Sequence, residues 1–242
     1  MNRSVELSVF LVIVTLFSVV WGKSVDGLAK SKTVSKISLR LMNYFRVPLD
    51  KIKFFVIWFS YIAISLSGTM ICCFVYKINL TNYLISNSIF DVILYTIIGF
   101  IFQFEVSSVL LLIFSILKSD TNWYRIVSEI TWVKVSFNLP RKVRILYPTS
   151  AALFEELFFR CSVFLVLITK FDWVPLPIST LIVTMLFVIE QVVCTQKLKQ
   201  AIAMSAGSLA ISLAGCLMIV ITGSILPAII CHEMYVIFYL KK

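Results

Sequence analysis

Residues 88–117 read SIFDVILYTIIGFIFQFEVSSVLLLIFSIL, and only Asp91 and Glu105 among them carry charge. A membrane-spanning helix needs about 20 mostly apolar residues. This run crosses a bilayer once, as a tilted helix of about 45 Å at 1.5 Å per residue, or twice, if it breaks near Gln103 and Glu105. The choice fixes the side of the membrane on which every later loop falls. Six other apolar runs occur, at 5–22, 54–76, 147–169, 174–194, 200–222 and 224–240. Over its 242 residues the chain is 60% hydrophobic and 14% charged, against about 25% charged in an average soluble domain. A disordered chain is excluded. So is a water-soluble enzyme, whose surface has no room for this much apolar side chain.

Basic residues decide between one pass and two. The chain carries 22 Lys and Arg against 12 Asp and Glu, a net charge of +10. With 88–117 as one pass, 18 of the 22 share one side: eight from Lys23 to Lys53, six from Lys118 to Arg144, then Lys197, Lys199, Lys241 and Lys242. Only Arg3, Lys77 and Lys170 fall opposite, and Arg160 lies inside a run. A break in 88–117 scatters the charges over both sides, against the excess of Lys and Arg on cytoplasmic loops. The expected fold is therefore all-α, a polytopic transmembrane bundle of about seven spans (eight if the run splits). It forms a single integral membrane domain over 1–242, with a lumenal or external N-terminus and a cytoplasmic C-terminus. The charge is then a matter of topology, with membrane lipid as partner and no nucleic acid.

Smaller features fit this plan. The first run lacks a small-residue cleavage site, which favours a span over a signal peptide. Asn79-Leu80-Thr81 is a glycosylation pattern on the lumenal side. The six cysteines lie inside apolar runs and read as buried free thiols. Residues 23–53 form a basic cytoplasmic loop in which Val34, Ile37 and Leu41 share one helical face. It is either an amphipathic helix on anionic lipid or a solvated loop.

Ionisable residues inside a membrane are expensive, and they usually face the bundle interior. Glu105 reads as a structural hydrogen bonder to a neighbouring helix. The sharpest cluster is Phe154-Glu155-Glu156-Leu157-Phe158-Phe159-Arg160. Glu156 and Arg160 stand at i, i+4 and can neutralise each other. Glu155 points about 100° away and has no partner on its own helix, which leaves it available to take a proton from water. A structural ion pair is the other reading of this cluster. Further on, Glu190 and Gln191 enter the 174–194 run, and the only histidine, His232, stands beside Glu233 in the last. One histidine excludes the H-E-x-x-H zinc motif, which fails at Val236. There is no G-x-S-x-G elbow and no phosphate-binding glycine loop. A metal on Glu155, Glu156 and His232 is conceivable, yet nothing demands it. Water activated by glutamate, without cofactor or metal, is the simplest chemistry available.

These residues resemble the CPBP family of intramembrane proteins, which includes CAAX proteases and bacteriocin-processing or self-immunity proteins. Its pattern runs E-E-x-x-x-R, F-x-x-x-H, then H-x-x-x-N. Here the first motif is complete as Glu155, Glu156 and Arg160. Tyr147-Pro148-Thr149-Ser150 before it and Cys161 after it look like the Ras-converting CAAX prenyl endopeptidases. The second motif falls on Phe187 to Gln191, with glutamine for histidine. The third falls on His232 to Val236, with valine for asparagine, behind a similar lead-in, Thr222 to Pro227. The family-like core covers about 140–240.

The resemblance implies a helical bundle with a cavity open to the cytosol. The substrate is a prenylated Cys-a-a-X protein or peptide that loses its last three residues. Glu155 is the implied base, Glu156 and Arg160 support it, and His232 is an oxyanion donor. The membrane is that of the endoplasmic reticulum in a eukaryote, or the plasma membrane in a bacterium. Two departures bear on activity. Gln191 can orient water but cannot hold a proton, and a base partner is worth about 10²–10⁴ in rate. The Val236 side chain cannot donate, and a lost oxyanion donor costs about 2.7–4 kcal/mol. Glu190 and Glu233 are next to the altered positions but about 100° off, so either needs a local shift to substitute. A catalytically inactive relative that binds, scaffolds or confers immunity is the alternative, and a proton-coupled transporter is a third.

Overall fold

All seven apolar runs fold as helix. The computed structural model describes residues 2–46, 48–84, 88–117, 122–137 and 139–240. The elements are α1 (Arg3–Lys30), α2 (Lys32–Phe45), α3 (Leu49–Tyr76), α4 (Thr81–Leu84), α5 (Ile89–Leu117), α6 (Trp123–Ser128), α7 (Thr131–Phe137) and α8 (Arg141–Phe158). A π-helical turn (Phe159–Phe164) leads into α9 (Leu165–Thr169), followed by α10 (Leu176–Val192), α11 (Leu198–Thr222) and α12 (Leu226–Leu240). No strand occurs among the described residues. Helices α1, α3, α5 and α11 are long and apolar enough to cross a membrane, and α10 and α12 are shorter apolar helices. The seventh rod is α8, the π turn and α9 in sequence, whose junction residues all keep right-handed helical angles. The fold is a polytopic helical membrane bundle.

Run 88–117 is one helix, so the alternative of a break is set aside. The residue expected to interrupt it does the opposite: Gln103 is fully buried and its amide donates to Cys231 Sγ at 3.1 Å. Glu105 departs from its expected bond to a neighbouring helix and lies exposed on α5, away from the buried stripe of Thr96, Gly99, Gln103 and Ser107. Stretch 23–53 is mostly helical. α1 continues to Lys30, and the Ser31 side chain caps α2 by accepting from Val34 N–H. On α2, Val34 and Ser38 are buried at i, i+4, while Lys32, Lys36 and Arg40 are exposed. The stretch is thus a helix with one buried face, which packs on α3, and Ile37 of the expected apolar face is exposed. Of the basic residues used to orient the bundle, Lys118, Lys241 and Lys242 lie outside the described residues.

The core centres on aromatic residues from several helices, among them Trp21, Phe158, Phe159, Phe164 and Phe187. A smaller cluster, Ile130 and Val133 with Met204 and Val236, ties α6–α7 to α11 and α12. All six cysteines are free; five are buried and Cys194 is half-buried.

Candidate active site

The site begins with α8. Pro148 inside this helix removes one backbone donor, and the π turn begins two residues after Leu157, with the Ser162 hydroxyl donating to Leu157 O at 2.9 Å. Single π turns inside α-helices often occur at functional positions. Glu155 and Glu156 are both buried and point to different partners. Glu156 Oε2 stands 3.3 Å from Arg160 Nε, the i, i+4 pair read from the sequence, and both side chains are fully buried. Glycine makes room for this pair: a Cβ on Gly215 of α11 would come within 3.1 Å of Arg160 Nε and 3.2 Å of Glu156 Oε2. The Arg160 guanidinium lies 4.3 Å over the Phe187 ring, where the ring quadrupole attracts a desolvated cation.

His232 arrives from α12. Gly223, in the left-handed region at φ 65°, closes α11, a conformation glycine adopts without steric cost. The Ser224 hydroxyl then accepts from Leu226 N–H at 3.2 Å and starts the next helix. This short reversal brings α12 back against α8. His232 Nδ1 lies 2.9 Å from Glu156 Oε1, and its Nε2 lies 3.9 Å from Glu155 Oε2. The Phe187 ring sits edge-on to the imidazole at 6.0 Å. Phe187 thus touches groups from both other motifs.

Glu155 also has a partner that the sequence reading missed. The Tyr61 hydroxyl from α3 donates to Glu155 Oε1 at 2.6 Å and reaches Glu190 Oε1 at 3.1 Å. Trp21 packs on the Tyr61 ring at 5.0 Å and on Phe159 at 5.6 Å, which fixes the phenol. Nothing in the stretch around Tyr61 marks it, since its role comes from the packing of α3 against α8. Glu190 is buried in the last turn of α10 and lines the cavity with no local shift. The Gln191 amide donates to Glu190 Oε2 at 2.7 Å. α1 crosses this end of α10 so closely that a Cβ on Gly22 would collide with the Glu190 carbonyl oxygen.

Tyr61, Glu155, Glu190, Gln191 and His232 line one cavity of about 250 Å³. Glu156 and Arg160 stand behind that wall, and Glu233 does not line it. Leu111, Trp123, Val127, Met204 and Val236 supply apolar lining. The arrangement offers a carboxylate beside an imidazole nitrogen, a pair able to polarise water. Among the described residues no group of three or more His, Cys, Asp or Glu side chains is arranged to hold a metal ion.

Residues 141–238 match the family model described as Type II CAAX prenyl endopeptidase Rce1-like. That segment runs from α8 through α12 and contains all three motif positions. Over these residues the chain is similar to the CAAX/CPBP-type intramembrane proteases, in line with the resemblance carried by the E-E-x-x-x-R pattern. No curated protein and no solved structure matches the chain.

Proposed function

We propose that the protein is a glutamate-dependent intramembrane endopeptidase that removes the C-terminal tripeptide from prenylated CAAX proteins. One observation carries the reading. The Glu155 carboxylate faces His232 Nε2 at 3.9 Å on the wall of a cavity that also has a large apolar surface. Glu155 takes a proton from water, and the hydroxide attacks the peptide carbonyl. Glu156 fixes the imidazole through Nδ1, so Nε2 is the nitrogen left to face the developing oxyanion. The apolar lining suits a prenyl chain, and a eukaryotic owner places the protein in the endoplasmic reticulum membrane.

The test is tripeptide release from a farnesylated CAAX peptide by the purified full chain in lipid nanodiscs. Release is expected, with a loss of at least about 10²-fold in Glu155→Ala. No release at any enzyme concentration, with prenyl-peptide binding retained, supports the second reading, a catalytically inactive binding or scaffold protein. Val236 favours that reading, because it presents an apolar side chain to the cavity where the family pattern has a donor.

A further inference from the structure

Tyr61 has one proton and two carboxylates within reach. A phenol donates once. It donates to Glu155 over the shorter distance. The longer contact is then a hydrogen bond only when Glu190 is protonated and donates to the phenolic oxygen. Charge balance agrees. Arg160 matches Glu156 at 3.3 Å, whereas Glu155 and Glu190, both ionised, would face each other across one phenol. No Lys or Arg among the described residues lines the cavity. Two carboxylates bridged in this way share one proton, as like charges in a common site do.

We propose that Glu190 is the general acid of this site and that Tyr61 returns its proton after each turnover; the inference rests on the peptidase reading above. Gln191, at the family's histidine position, holds the other oxygen of Glu190. The step begins with Glu155 ionised and Glu190 protonated. Glu155 removes one proton from water, and the oxygen bonds to the carbonyl carbon. As the C–N bond breaks, Glu190 gives its proton to the leaving nitrogen, which replaces the phenolic oxygen as acceptor. Glu155 now holds the water proton. Glu155 passes it to the Tyr61 oxygen while Tyr61 gives its own proton to Glu190, and the starting state is restored.

The experiment measures kcat and KM for a farnesylated peptide with the full chain in nanodiscs. Glu190→Gln is expected to lower kcat by at least about 10²-fold and to leave KM nearly unchanged. Gln191→His in the Glu190→Gln background restores a titrating group and is expected to recover activity. Tyr61→Phe is expected to slow the steady state far more than the first turnover, because it removes the relay that returns the proton. Glu155-dependent cleavage by wild type with kcat unchanged in Glu190→Gln overturns this inference alone. So does a Glu190→Gln loss relieved by neither Glu190→Asp nor Gln191→His, or a wild-type steady state in Tyr61→Phe. Absence of cleavage by wild type overturns the peptidase reading and this inference with it.

Discussion

Helices α5 and α11 pack along each other, 29 and 25 residues long, and their most apolar 18-residue stretches have mean hydropathies of 2.2 and 2.1. Yet 56% of the most apolar stretch of α11 is buried, against 17% for α5. Side-chain size separates them. The buried positions of α11 include Ala203, Ala206, Ser208, Ala210, Ser212, Ala214 and Gly215. Helix α5 shows Ile97, Ile98, Ile101 and Leu112 outward and buries Thr96, Gln103 and Ser107. In water the large apolar groups would turn inward. In a bilayer, lipid solvates them as well as a core does, so small and polar groups fill the helix contacts. Hydropathy therefore marks a span but does not say which span is central. The central one is central because its small residues let α5, α10 and the π turn approach and bring the Glu156–Arg160 pair against Gly215.

Substitutions at three places put this contrast at risk. The largest effect is expected at the pair that α11 covers. Arg160→Met leaves Glu156 as an unmatched buried charge and is expected to cost about 3–5 kcal/mol, read as a shift in a detergent unfolding titration. Adding Glu156→Gln should recover much of that loss. Next, Gly215→Leu puts a branched side chain where even a Cβ is tight, and about 1–3 kcal/mol is expected. An unchanged unfolding midpoint there would mean that α11 does not seat against the Glu156–Arg160 pair as described. The smallest effect is expected for Ile101→Ala on the outward face of α5, where the side chain is 55% exposed. That change should stay within about 0.5 kcal/mol, and a loss as large as that of Gly215→Leu would show that this face is covered.

The candidate site was legible in unequal parts. Glu156–Arg160 could be read from spacing, because an i, i+4 pair meets on any regular helix. His232 stood out through scarcity. The sequence reading placed Glu190 off-axis from Gln191, yet both line the cavity and bond each other at the last turn of α10. Tyr61 was invisible: 94 residues separate it from Glu155, and only the packing of α3 on α8 joins them. Glu105 was misread because the membrane rule gives the usual destination of an acid without giving the rotation of its helix.

By itself the sequence determined the bundle. Runs of about 20 apolar residues cannot leave backbone groups unbonded in lipid, so they must be helices, and the motif residues in 141–238 carried the likeness to the CAAX endopeptidases. Tertiary structure alone decided which faces meet, that α2 folds back as a helix on α3, and that Tyr61 bridges two carboxylates. The physical reason is range. Helix formation and i, i+4 pairing are local and are written in adjacent residues. Helix rotation and crossing depend on how distant side chains fit, as where Gly22 admits the end of α10 and Gly215 admits Arg160.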